Sequence, residues 1–328
     1  VFGSAPRKEA LPLASLKSNM GHLITAAGAA GLIKVLEAMK HEQRPPTAGF
    51  AGQESQTHQH PALANSGFRL LHHLEAWPKP DGHPRAAGVS AFGFGGNNAH
   101  LVVEQYDPRV HGILAQQAPR PRGAKGGVAV VGLAGQLGNI HGPQAFATAI
   151  GDAEARTAHV SLSLKGLKFP PTDLKAALGQ QTLSLQLARE ALLDAGLDVP
   201  RERLGVFIGM EADPEVARYG ARWRLPELCE RFALDPRASV ERIDDIVPLL
   251  RPAGVLGTMP NIPANRISSQ VDAAGPGFTV SAGSHSGLRA LEIACAMLRR
   301  GELDAAIVGA VDLSHEKVHM RACRALGD

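Results

Sequence analysis

The chain has 328 residues, 34 Lys and Arg against 31 Asp and Glu for a formal charge of +3, and is 44% hydrophobic and 20% charged. That is the balance of an ordinary globular protein, and 36 Gly with 23 Pro fall short of a low-complexity composition, so disorder and a collagen-like fibre are excluded. The small net charge, with no Lys/Arg run interleaved with aromatics, also excludes a strongly electrostatic nucleic-acid binder. No apolar run approaches the roughly 18 residues that cross a bilayer, and no signal-peptide pattern opens the chain. Cys229, Cys295 and Cys323 stand far apart, which indicates neither a disulfide framework nor a zinc site; the setting expected is cytoplasmic. The first residues, from Val1, read as the inside of a domain and point to a fragment.

In chain order, 13–16 reads as a short strand running into Lys17-Ser18-Asn19-Met20-Gly21-His22. A helix is predicted over 23–40, with Leu32, Val35, Leu36 and Met39 on its buried face. Residues 42–85 read mostly as loop. Strands are predicted at 87–92 and 99–104, joined by Gly93-Phe94-Gly95-Gly96-Asn97-Asn98. The Pro-, Gly- and base-rich 106–126 reads as a linker. Beyond it, 128–131 reads as a buried strand. A helix follows, with Leu183, Leu187, Ala191, Leu192 and Ala195 on one face, and Gly196 is suited to end it. A strand is predicted at 204–209. Thr279-Val280 leads through 281–287 into a helix carrying Leu288, Leu291, Cys295 and Leu298, stopped at Gly301. A last strand covers 305–311. Strands alternating with helices define an α/β layered class.

Two segments of the first part carry potential chemistry. A His placed where a loop enters a helix faces the positive helix end, which favours a neutral imidazole able to donate an N–H to an enolate or oxyanion. Lys17 could orient it, although a surface Lys and a backbone-bonded His satisfy the same residues. The Gly-rich bend at 93–96 can aim backbone N–H groups at an anion, with Phe94 as a gate. A Gly-rich connection around a core Phe is the bland alternative.

Taken together, Lys-Ser-Asn-Met-Gly-His, then Ala-Ala-Gly-Ala-Ala-Gly-Leu-Ile-Lys-Val, then Ala-Gly-Val-Ser-Ala-Phe-Gly-Phe-Gly-Gly-Asn-Asn-Ala-His resemble the C-terminal half of a β-ketoacyl synthase. The likeness covers roughly 1–105. It implies a thiolase-like fold, layered αβαβα, and decarboxylative Claisen condensation by a Cys nucleophile and two His on phosphopantetheine-bound acyl chains. By resemblance His22 is the second of those histidines, Lys17 is the lysine preceding it, and Phe94 with Gly95 forms the oxyanion site and gate. Asn97 departs from the family's Thr. The segment with the Cys and the first His would precede Val1.

Residues 127–328 resemble the N-terminal half of the same family, through Val128-Ala-Val-Val-Gly-Leu-Ala, the run Ala188-Arg-Glu-Ala-Leu-Leu-Asp-Ala-Gly, and Asn265-Arg-Ile-Ser. At the nucleophile turn the family's Thr-Ala-Cys-Ser-Ser reads Ala282-Gly283-Ser284-His285-Ser286, with Ser284 in place of Cys. A helix N-terminus lowers a thiol's pKa to a useful range, but a Ser hydroxyl needs an adjacent base. His285 follows directly, and consecutive residues at a helix start are expected to point apart. Ser284 or Ser286 reads more simply as a helix N-cap. The second part therefore resembles a chain-length factor. The run Val206-Phe-Ile-Gly-Met and the later Arg218-Tyr-Gly-Ala-Arg-Trp resemble the ketosynthase–chain-length-factor subunit of polyunsaturated-fatty-acid synthases.

Three further signals weigh less. Gly132, Gly135 and Gly138 follow a strand-like run but lack the dinucleotide spacing. His58, His60, His72 and His73 have no metal-ligand spacing, and no metal is expected. Arg218, Arg222 and Arg224 could meet an acidic carrier, with a solvated face as the default.

The expectation is thus two half-domains, 1–105 from a ketosynthase and 127–328 from a chain-length-factor-like domain, with 106–126 between them. The resemblance implies acyl carrier protein, the rest of the synthase and a ketosynthase/chain-length-factor pseudo-dimer as partners. Nucleic acid and a membrane span are not expected. No cofactor is expected to bind directly, since phosphopantetheine arrives on the carrier. The chain alone should not condense. The rival is a non-catalytic pseudo-ketosynthase scaffold; a biosynthetic thiolase is disfavoured by the Lys17–His22 motif.

Overall fold

The computed structural model describes residues 9–49, 61–64, 66–94, 98–117, 126–144, 147, 159–196, 201–211, 216, 219–247, 249–313, 320–321 and 324–325. The chain divides into two compact units, one formed by 1–93 and 98–120, the other by 94–97 and 121–328.

In the first unit, β1 (Leu11–Leu13) precedes the short helix α1 (Lys17–Met20). A 3-10 turn at Ile24–Ala26 then leads into α2 (Ala27–Lys40). The predicted helix therefore starts later than its composition suggests. Gly21 (φ 79°), Leu23 (φ 57°) and Ile24 (φ 46°) are in the left-handed region and turn the chain before it can wind. Two non-glycine residues in that region cost about 1–3 kcal/mol each, strain of the kind that collects at functional sites. The stretch read as loop holds β2 (Gln43–Arg44), α3 (Pro61–Ala64), β3 (Phe68–Leu70) and β4 (Glu75–Ala76). Strand β3 pairs in parallel with β1, and β4 pairs antiparallel with β2. As predicted, β5 (Ala86–Phe92) and β6 (Asn98–Glu104) form a hairpin, paired from Ala86↔Glu104 to Phe92↔Asn98.

Helix α2 lies on β5 through its glycines. A Cβ on Gly28 would stand 3.2 Å from Ala91 Cβ, and one on Gly31 would stand 3.7 Å from Val89 Cγ1. Met39 is buried and Leu32 and Val35 are half-buried as expected, but Leu36 is 46% exposed; the close approach to the strand is made at the glycines. Part of the predicted linker is also helical. In α4 (Pro108–Gln117) Pro108 occupies a position where its missing N–H costs nothing, and Asp107 Oδ1 accepts from the Arg109 N–H at 2.9 Å in the manner of an N-cap.

The second unit contains β7 (Gln136–Leu137) and β8 (Ile140–His141), joined by Gly138-Asn139 with Gly138 at φ 59°. Gly138 thus serves a hairpin turn. The run 128–131 forms no strand: Val130 is 79% and Val131 57% exposed. Apolar, β-branched composition does not make a strand without a neighbour to complete the backbone ladder. Five helices follow through the core sequence: α5 (Pro171–Lys175), α6 (Gly179–Ala195), then, after β9 (Leu204–Gly209), α7 (Tyr219–Phe232), α8 (Pro236–Ile246) and α9 (Pro252–Thr258). Next come α10 (Ile262–Val271), β10 (Gly277–Val280), α11 (Ser286–Arg299) and β11 (Ala305–Ala310). Gly196, at φ 57°, ends α6 as predicted.

The strands form a parallel sheet in the order β10-β9-β11. All six residues of β9 are buried, the mark of a strand covered on both faces. Leu204, Val206 and Ile208 pack with Leu185, Ala188, Ala264 and Ile267 from α6 and α10. Phe207 packs on the opposite face with Ala290 and Ala294 of α11. This is an αβα layering, and the large Phe207 ring requires the small Ala pair beneath it. The face of α11 that meets the sheet is therefore Ala290, Ile293, Ala294 and Met297, with Leu298 beside them as predicted. Of the residues predicted there, Leu288 is 66% and Leu291 45% exposed.

Candidate functional site

In the first unit, Lys17 is exposed at the start of α1, where its N–H donates to Ser15 Oγ at 3.2 Å. The segment before α1 is tied to α2 by Lys34, whose Nζ donates to the Ser15 carbonyl at 3.3 Å; burial pushes the Lys34 ammonium pKa down. An apolar groove of about 440 Å³ runs between these helices, lined in part by Leu16, Met20, Ile33 and Lys34. His22 is exposed between α1 and the 3-10 turn. It is not at the first turn of α2, as the sequence implied, because the left-handed residues around it interpose an extra bend. The Gly28–Ala91 and Gly31–Val89 approaches run the two elements in opposite directions. The start of α2, which follows His22, thus lies at the same end of this unit as the exit of β5 into Gly93.

Phe94 groups with the second unit; it is 60% exposed, and its carbonyl accepts from Asn265 Nδ2 at 2.5 Å. Gly95, Gly96 and Asn97 lie outside the described residues, as do His58, His60, Arg218 and Cys323.

Ser284 lies on the turn between β10 and α11, at the carboxyl end of the parallel strands, where ligands of open α/β sheets collect. The backbone comes very close here: a Cβ on Gly209 would stand 2.5 Å from the Gly287 N and the Ser286 carbonyl carbon, and one on Gly287 would stand 2.7 Å from Ala310 Cβ. Only glycines allow the helix start to sit this low on β9 and β11. Ser284 Oγ lies 3.2 Å from His285 Nδ1, which overturns the expectation that the two point apart. The reason is local: Gly283 is at φ 59° and His285 precedes the first helical residue, so helical spacing does not yet apply. Neither serine caps α11 from outside. The N-cap is His285, without a side-chain bond, and Ser286 Oγ instead accepts from the Ala282 N–H at 2.9 Å.

Sequence reasoning missed Glu211, the second residue after β9. Its carboxylate accepts from Ser281 Oγ at 2.8 Å, the Gly283 N–H at 2.7 Å and Ser286 Oγ at 3.0 Å. The Ser281 hydroxyl first, then the Gly283 N–H and the Ser286 hydroxyl, hold its carboxyl below the usual carboxylate range, against an opposing push from burial. No motif marks this residue; its place just past a fully apolar strand end was the available signal.

Elsewhere, Arg222 is tied to Asp244 and to the Val247 carbonyl. Among the described residues no group of three or more His, Cys, Asp or Glu could hold a metal ion, and no helix is long and apolar enough to cross a membrane.

A parallel sheet between helical layers, with a helix seated by its N-terminus on the strand ends, is an α/β arrangement that the thiolase-like class shares. Comparison places the chain within that class. The model of the β-ketoacyl synthase C-terminal domain matches residues 1–51, and that of the β-ketoacyl synthase N-terminal domain matches 165–327. The chain belongs to the β-ketoacyl synthase family. It is 31% identical to a polyunsaturated fatty acid synthase polypeptide of Thraustochytrium sp., over 98% of this chain but 17% of that protein's length. It is 42% identical to the spectinabilin polyketide synthase system protein NorA of Streptomyces orinoci over 35% of this chain and 6% of that one. A solved structure described as "PfaC Keto synthase-Chain length factor" superposes with a TM-score of 0.67 at 24% identity, over 96% of this chain and 37% of that one. The chain thus spans a small part of the length of these synthases.

Proposed function

We propose that the chain is the part of a cytoplasmic fatty-acid or polyketide synthase in which a ketosynthase C-terminal half (1–105) runs through 106–126 into the N-terminal half of a chain-length-factor-like domain (127–328). The observation carrying this reading is the order of the two matched halves, C-terminal before N-terminal; in this reading Ser284 stands at the turn where condensing enzymes carry Cys.

In decarboxylative condensation a carrier-bound malonyl group loses CO2, and the carbanion attacks an acyl thioester. Two charges develop, on an enolate oxygen and on a tetrahedral oxyanion, and each needs a preorganised donor. In this reading the His22 imidazole donates to the enolate, Lys17 orients it, and the Phe94 N–H with the Gly95 bend meets the oxyanion. The acyl chains arrive on the phosphopantetheine arm of an acyl carrier protein. The second unit shapes the acyl tunnel and the pseudo-dimer. Among the described residues it holds no cysteine on the turn: Cys229 is buried in α7 and Cys295 is half-buried in α11.

The test is incubation of the purified chain with acyl- and malonyl-loaded carrier proteins. Carrier binding without β-ketoacyl product is the expected result. Condensation would overturn the non-catalytic reading of this chain. Failure of every carrier to bind would favour a scaffold that does not engage carriers.

A further inference from the structure

We propose that Glu211 is an internal anion seated at the N-terminal end of α11, so that the Ser281–Ser286 turn is held non-reacting by Glu211 as well as by the missing thiol at 284. The inference deepens, and rests on, the reading of Ser284 as the nucleophile position.

A reactive turn at a helix start works through unspent positive potential: free N–H groups and the helix dipole stabilise a thiolate and then an oxyanion. Here much of both is spent. Glu211 takes the Gly283 N–H and the Ser281 and Ser286 hydroxyls, and Ser286 Oγ takes the Ala282 N–H. The His285 and Ser286 N–H groups close the turn on the Ala282 and Gly283 carbonyls at 3.2 and 3.1 Å. A carboxylate against the end of a 14-residue helix cancels the field that would lower a neighbouring thiol's pKa and raises that pKa instead. Among the described residues, the other titratable groups at this end are His285 on the turn, Arg289 paired with Glu292 on α11, and Asp312 after β11. They are common to every variant below, so differences among variants report Glu211.

The consequence is that restoring Cys is not enough to restore a reactive thiol. The experiment compares Ser284→Cys with Ser284→Cys/Glu211→Gln by following iodoacetamide alkylation of the residue-284 peptide against pH, by mass spectrometry. The single variant should titrate at or above the ordinary thiol value of about 8.5. The double variant should titrate at least about one unit lower, a tenfold change in the ionisation constant. A depressed pKa in Ser284→Cys alone, unchanged by Glu211→Gln, would overturn the proposal. A measurement on the unsubstituted chain guards against misfolding of the variants. The Gly283 amide resonance should move with pH as Glu211 titrates below the ordinary Glu range, and a flat profile there also overturns it. Neither readout involves carriers or condensation, so its failure is separable from failure of the synthase reading.

Discussion

Gly28 approaches Ala91 so closely that a Cβ on it would stand 3.2 Å from the Ala91 Cβ, whereas the corresponding distance from Gly31 to Val89 is an ordinary 3.7 Å. This pair fixes the first turn of α2 against the last residues of β5. It thereby sets the entry into α2, and His22 before it, at the end of the unit where β5 leaves for the Gly93 bend.

The two glycines should respond oppositely to substitution. Gly31→Ala is expected to stabilise the chain by roughly 0.5–1 kcal/mol, since an Ala gains helix propensity and meets only normal contact. Gly28→Val is expected to cost about 1–3 kcal/mol by overpacking against β5. Urea denaturation midpoints of the two variants check this, and equal effects would show that the helix does not rest on the strand through Gly28.

In the second unit the same logic applies at β9. Phe207 is fully buried and meets Phe278 edge-on at 5.1 Å, so Phe207→Ala should cost about 3–5 kcal/mol. Gly209→Ala adds a single methyl yet drives it into the backbone at Ser286–Gly287; a loss of about 1–3 kcal/mol is expected. Hydrogen exchange should show reduced protection in β9 for both, and in the α11 start for Gly209→Ala above all.

Asp107 gives the first unit a distinct acid response. Hydrogen bonds from Arg109 and Lys79 hold its carboxyl well below the usual carboxylate range. A carboxyl with a folded pKa below its unfolded one stabilises fully above the unfolded value, near 4, and loses that contribution as pH falls toward the folded value. The wild-type urea midpoint should therefore drop further between pH 6 and pH 2 than that of Asp107→Asn, which starts lower at pH 6. Parallel profiles would contradict the assignment.

Elements carried by strict local pattern were legible in the sequence: the 86–92 and 98–104 hairpin strands, the all-apolar β9, and α6 with its glycine stop. Helix faces were read less well. Both α2 and α11 set small residues at their closest approach to the sheet and leave part of the predicted apolar stripe outside, Leu36 on one, Leu288 and Leu291 on the other, while Met39 and Leu298 pack inward as predicted. Periodicity finds an apolar stripe but does not say which stripe a sheet selects when close approach favours Gly and Ala. At the site, the sequence put Ser284 on the turn before α11, where it lies, but put His22 at the start of α2, whereas it lies between α1 and the 3-10 turn. Glu211 escaped because its partners, Ser281, Gly283 and Ser286, are some seventy residues away and meet it only through the parallel pairing of β9 with β10. The Ser284–His285 contact escaped because it depends on the left-handed Gly283.

The contact between Ser284 Oγ and His285 Nδ1, at 3.2 Å, makes acylation of this serine the most direct trial of a turn that does not react. The chain, incubated with an acyl-loaded carrier protein, is read by intact-mass spectrometry and peptide mapping. An unmodified chain is predicted, because Ser286 Oγ and Glu211 take the Ala282 and Gly283 N–H groups of the turn and no described group orients the His285 ring. An acyl group on Ser284, lost in both Ser284→Ala and His285→Ala, would contradict that prediction.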